Sequence, residues 1–198
     1  LLQNKIDKIE YAIYKKNKEI KFKTRLKISN NPFEIDLLNY KKNENSDLEL
    51  NFEGRRNVKK ESIFNEISLR EKNNIISIQN LILTNSNKID DLGTISINYA
   101  DKENLKNNIK LTKKNNNYLV SGDSFNINKI IDKILDSEGN NNLKFFKKNF
   151  KVIFDIQKIY LNKNNAINNL KGFLLLNKNK ISELSLESKF SNNENIKF

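Results

Sequence analysis

The side chains best suited to chemistry are missing. The 198 residues contain no histidine and no cysteine, which removes the one side chain that titrates unperturbed near neutrality and the most nucleophilic one. A Ser-His-Asp or Cys-His site is thereby excluded, as are disulfides and thiolate metal sites. Carboxylates remain as acid and base, and Asp90-Asp91 is the one adjacent pair. It lies between Lys88 and Gly93 in a turn-like stretch, where neighbouring carboxylates are ordinarily solvated and bonded to local backbone. No catalytic residue is assigned to it. The five glycines form neither a GxxxxGK[ST] nor a GxGxxG cradle, and no acidic loop has calcium-ligand spacing. No cofactor and no metal site are expected.

Binding chemistry has one pointer. Residues 143–150 read LKFFKKNF, and aromatics interleaved with lysine are how a single-strand nucleic-acid platform is written. The competing reading is a strand with Phe145, Phe146 and Phe150 partly buried. It is favoured because the twelve phenylalanines are spread through the chain, whereas oligonucleotide-binding folds concentrate theirs on one sheet face. The net charge of +12 and pI near 9.6 invite the same nucleic-acid reading through counterion release. The lysines do not cluster, however: Lys21, Lys23, Arg25 and Lys27 alternate with apolar residues, as on the solvated face of a sheet. Nucleic acid is not the expected partner.

The elements that carry these residues have a period of two. Ile20, Phe22, Leu26 and Ile28 fall on one side of an extended segment. The pattern returns at Leu48, Leu50, Phe52, at Ile67, Leu69, at Ile76, Ile78, at Ile95, Ile97, Tyr99, at Ile109, Leu111, at Val152, Phe154, Ile156, at Leu174, Leu176 and at Leu184, Leu186. Asn-rich turns at 15–18, 43–46, 72–74, 85–88, 114–117, 162–165 and 177–179 separate the runs, and loops this short impose antiparallel pairing. Pro32 is placed to open a strand through Phe33, Ile35 and Leu37. One segment breaks the period: at 126–136, Ile127, Ile130, Ile131, Ile134 and Leu135 have helical spacing, with Asn126 or Asn128 as N-cap. The expected fold is all-β, an antiparallel meander-like curled sheet with one short amphipathic helix. It divides into hairpins over 1–125, the helix at 126–136, and hairpins over 143–198. The chain opens at Leu1 without methionine and ends at Phe198 within an alternating pattern, which reads as a single piece of a longer protein. No apolar run approaches the roughly 18 to 20 residues that span a bilayer.

Two stretches carry a resemblance. YLVSGDSFNI at 118–127, leading into the helix, resembles the strand, glycine, Phe-Asp and helix element of AsmA-like envelope proteins of Gram-negative bacteria, the YhdP/TamB-like group. This chain has Asn126 where that pattern often has Asp. Residues 159–198, with a turn at 162–165, LKGFLLL at 170–176 and a returning strand at 181–190, resemble the repeated hairpin of the same family. The resemblance is best over 118–198. It implies a non-enzymatic periplasmic β-groove, anchored in the inner membrane by a segment upstream of this stretch, that assists phospholipid transport between the membranes. Its partners would be phospholipid acyl chains. The residues expected to line the groove are Phe22, Leu26, Ile28, Leu50, Phe52, Ile95, Ile97, Leu174, Leu176, Leu184 and Leu186. Two alternatives remain: a β-rich interaction module with an ordinary packed core, and a basic nucleic-acid binder.

Overall fold

Apolar residues at every second position can all be buried on one side only if the chain is extended, and the alternating runs do form strands. In the computed structural model the residues described are 7–57, 61–115, 117–130, 149–177, 180–190 and 194–197. They form β1 (Lys8–Lys16), β2 (Glu19–Ile28), β3 (Glu34–Ile35), β4 (Tyr40–Lys41), β5 (Leu48–Arg56), β6 (Ser62–Glu71), β7 (Asn74–Leu83) and β8 (Ile89–Asp91). The rest of the chain adds β9 (Thr94–Ala100), β10 (Lys106–Lys114), β11 (Asn117–Asn126), β12 (Phe150–Tyr160), β13 (Ala166–Asn177), β14 (Lys180–Lys189) and β15 (Asn195–Lys197). One unclosed sheet runs β1-β2-β5-β6-β7-β9-β10-β11-β12-β13-β14-β15, with β8 paired to the end of β7. The pair β3 and β4 forms a separate two-stranded sheet.

The turns explain the asparagine content. Among the described residues, seven of the nine non-glycine residues with positive φ are asparagines, among them Asn17 and Asn115 in turns and Asn80 and Asn169 within strands. The Asn side chain tolerates the left-handed region better than most, so it takes the place that glycine usually has. The β1–β2 hairpin has Asn17 and Lys18 at φ 49° and 68° between the paired Lys16 and Glu19, the backbone that a two-residue hairpin turn needs to match strand twist.

Two elements depart from the sequence reading. The pair β11–β12 is parallel, whereas every other pair in the large sheet is antiparallel. The connection at 127–149 permits it, being long enough for the crossover of about a dozen residues that parallel strands require. Of the helix expected at 126–136, Asn128 to Ile130 are helical, while Asn126 ends β11 and its Oδ1 accepts the Asn128 N–H at 3.1 Å, as an N-cap does. The remainder of that helix, 131–136, lies outside the described residues, as do Phe145 and Phe146. The second departure follows Pro32. The expected strand is cut to Glu34–Ile35, because the chain turns through a 3-10 segment at Asp36–Leu38, closed by Asn39 at φ 51°. That turn swings Tyr40 into complete burial and leaves Leu37 exposed.

Glycine lets strands meet closely at Gly54 and Gly172. Gly54 lies between Phe22 on β2 and Phe64 on β6, whose rings meet edge to face at 5.6 Å. A Cβ on Gly172, at φ 134°, would stand 2.0 Å from the Ser185 carbonyl oxygen of β14. Gly172→Ala is therefore expected to lower the urea midpoint of unfolding by the equivalent of about 2 kcal/mol. A midpoint equal to that of the parent chain would show that β13 and β14 do not approach this closely.

Candidate functional site

Residues directly opposite one another in paired strands share a face, so the register can be followed across the sheet. One row runs Leu26, Leu50, Leu69, Ile76, Ile97, Ile109, Gly122, Ile156, Leu170. Beside it runs Thr24, Phe52, Ile67, Ile78, Ile95, Leu111, Val120, Phe154, Gly172, Leu186. Shorter rows flank these two: Ile28 with Leu48, Phe22 with Gly54, Phe64 and Leu81, and Tyr118 with Val152, Leu174 and Leu184. Leu176 is two residues from Leu174 on β13. The register thus brings all eleven of the sequence-predicted groove residues to one face.

Their burial is graded. Ile28 and Ile97 are buried, Leu184 is 44% exposed, and the other eight are half-buried. Along the two rows Leu69, Ile76, Ile97, Val120 and Ile156 of the central strands are buried and the other apolar members are part-buried, so exposure rises toward the edges of the sheet, and the strand ends are packed as well. At one end Tyr40 is fully buried beside Leu48 and Ile28, its ring edge-on to Phe33 and Tyr99 at 6.5 and 5.6 Å. Ile127 and Ile130 of the crossover join this cluster. At the other end Leu92 packs with Leu81 and Tyr118, and Tyr118 meets Phe150 at 5.2 Å with perpendicular rings. That contact accounts for the described part of the lysine-aromatic stretch: Phe150 belongs to the apolar face.

Burying polar atoms at the Tyr40 end demands partners. Glu71, 2% exposed, accepts bonds from Tyr40 Oη at 2.6 Å, Asn43 N–H at 2.6 Å, Asn74 Nδ2 at 3.2 Å and the Ser46 hydroxyl. Burial raises its carboxyl pKa, but these bonds outweigh burial and hold it below the ordinary 4.5. The Tyr40 phenol is pushed well above its usual value by burial and by Glu71. Tyr99 donates to the Leu38 carbonyl. Nearby, Asn126 donates to Asp101 at 2.7 Å, and its N–H reaches Asn107 Oδ1 at 2.7 Å. Reading the sequence for alternation did not single out this network. Within 29–47 the alternation of Phe33, Ile35 and Leu37 does not extend to Tyr40, and a buried Glu71 looks like any strand-end acid.

The opposite face is charged and paired near β2. Lys23 reaches Glu53 at 3.3 Å, Lys27 reaches Asp47 at 2.6 Å, and Arg25 grips Glu49 with bonds of 3.1 and 2.5 Å. Further along, this face also carries an apolar patch that strict alternation hides: Leu119, Ile153 and Phe173 are opposite one another. Lys151 Nζ lies 3.5 Å from the Phe173 ring centre, within a shallow depression of about 390 Å³. Of the adjacent acids, Asp91 is held by Lys113 at 2.5 Å and by the Leu92 N–H at 2.9 Å. Among the described residues no three His, Cys, Asp or Glu side chains gather as a metal would need.

The fold and this face define the class: an open, mostly antiparallel β-sheet protein with an extended apolar face. No protein-family model matches the chain, and neither the curated proteins nor the solved structures give a match.

The Glu71 knot generates a pH prediction. A carboxyl whose folded pKa is depressed contributes stability that is fully present above its unfolded value and lost as pH falls through the folded one. Unfolding midpoints are expected to drop on acidification below about pH 4.5. Glu71→Gln should weaken the chain at pH 7 and flatten this acid limb. Parallel pH profiles for parent and variant would remove Glu71 as the cause.

Proposed function

We propose that the apolar face holds acyl chains and that this chain is a β-groove segment of an AsmA-like envelope protein, assisting phospholipid transport between inner and outer membranes. The supporting observation is the continuity of the face: apolar rows cross from β2 to β13 and β14, buried at Leu69, Ile76, Ile97, Val120 and Ile156 and part-exposed at Leu26, Leu50, Phe52, Ile95, Leu111 and Phe154. An apolar surface of that extent needs a covering, and an acyl chain supplies one with a gain of roughly 0.8 kcal/mol per buried methylene. Such holding needs no polar specificity group, so the chain is read as a carrier and not an enzyme. In this reading it works in the periplasm, held to the inner membrane by a segment outside the present sequence. Among the described residues no helix is long and apolar enough to cross a membrane.

A second reading, an interaction module with an ordinary packed core, draws support from the fully buried Tyr40, Leu48 and Tyr99 at one strand end. Nucleic-acid binding gains nothing from the basic row of β2, whose Lys23, Arg25 and Lys27 are paired with acids.

Photo-crosslinking amino acids at Phe52 and Leu176 are expected to give lipid adducts in the native envelope, and the same groups at Lys23 and Lys27 to give none. Equal labelling of both faces, or adducts to protein alone, would put the packed-core module ahead.

A further inference from the structure

We infer that β1 is a pairing edge through which two copies of this chain join, β1 against β1, antiparallel about a two-fold axis at Tyr11. Among the described residues β1 has one strand neighbour, β2. Natural sheets protect such an edge by brevity, proline, bulges, edge lysines or inward charges; of these β1 carries lysines, with Lys15, opposite Ile20, on the apolar face. The opposite edge, β15, is three residues long. In contrast β1 has nine residues, no proline, and an unbroken register with β2. Ile9, Tyr11 and Ile13 lie opposite Leu26, Thr24 and Phe22, hence on the apolar face, and are 59%, 72% and 63% exposed.

Of the registers centred on Glu10, Tyr11 and Ala12, one makes the strand complementary to itself. A two-fold axis through a residue keeps both apolar faces on the same side. With the axis at Tyr11, Ile9 is opposite the second copy's Ile13, Tyr11 opposite its own counterpart, and Asp7 opposite Lys15. With the axis at Ala12, Lys8 would be opposite Lys16 and Ile9 opposite Lys15. With the axis at Glu10, two glutamates would be face to face. Like charges directly across a ladder repel, so both alternatives are disfavoured. The contact is isologous and closed, one patch used twice. It also continues the row of Phe52 and Thr24 through Tyr11 into the second copy, so the two apolar faces become one.

The chain has no cysteine, so Tyr11→Cys places a single thiol at the axis. Mild oxidation is expected to turn most of that variant into a covalent dimer, while Lys163→Cys, in the exposed turn before β13, stays uncrosslinked. The unmodified full chain should sediment at twice the monomer mass, and Ile13→Lys, with unchanged circular dichroism, at the monomer mass. The inference is overturned if the unmodified chain is a monomer at its highest soluble concentration. It is also overturned if Tyr11→Cys crosslinks no faster than Lys163→Cys, or if Ile13→Lys keeps the dimer mass.

Discussion

Everything in this structure depends on keeping one face in phase across a sheet of many strands. The side-chain period of a strand is two, so a slip of one residue would turn a whole apolar set to water, at about 1.5 to 3 kcal/mol per large side chain. Strict alternation fails in several strands, which step by three where two is expected: Phe64 to Ile67 on β6, Ile78 to Leu81 on β7, Phe125 after Gly122 on β11, Ile159 after Ile156 on β12, and Ile167 to Leu170 on β13. These steps are shared between neighbours, because Phe64 is opposite Leu81, Phe125 opposite Ile159, and Ile159 opposite Ile167. Asn80 and Asn169, both at φ 55°, occupy two of the extra positions. A bulge in one strand alone would break the face, whereas bulges aligned in adjacent strands preserve it.

The same constraint explains the buried polar groups at the Tyr40 end. The apolar rows stop there, and irregular chain from 29–47, with Ile127 and Ile130 at the start of the crossover, packs against them. Irregular backbone cannot satisfy itself as a ladder does. Side chains from distant strands do so instead: Glu71 binds Tyr40, Asn43, Ser46 and Asn74, and Asn126 joins Asp101 to Asn107. Removing one member strands the others in a dry site, so the network behaves as a unit.

The excess positive charge has less influence than its size suggests. Exposed ion pairs contribute about 0 to 1 kcal/mol each, so the pairs from β2 to β5 add little to stability. Their value is in pairing: Lys23 lies directly opposite Glu53, and opposite charges across a ladder favour that register over its neighbours. Near β2 the charged face stays in water.

By itself the sequence determined the all-β class, the hairpin order, the outward-facing basic row and the membership of one apolar face, since all of these follow from local alternation and from Asn-rich turns. Phe22 and Leu186 stand nine strands apart in the sheet, yet each shows its face within its own run. Only the tertiary structure decided the parallel pairing of β11 with β12, because the length of a connection permits a crossover without choosing its neighbour. Tertiary packing likewise decided that Tyr40 and Glu71 are buried together. They are 31 residues apart, and what places a polar side chain inside is the partner it finds there, which no local pattern records.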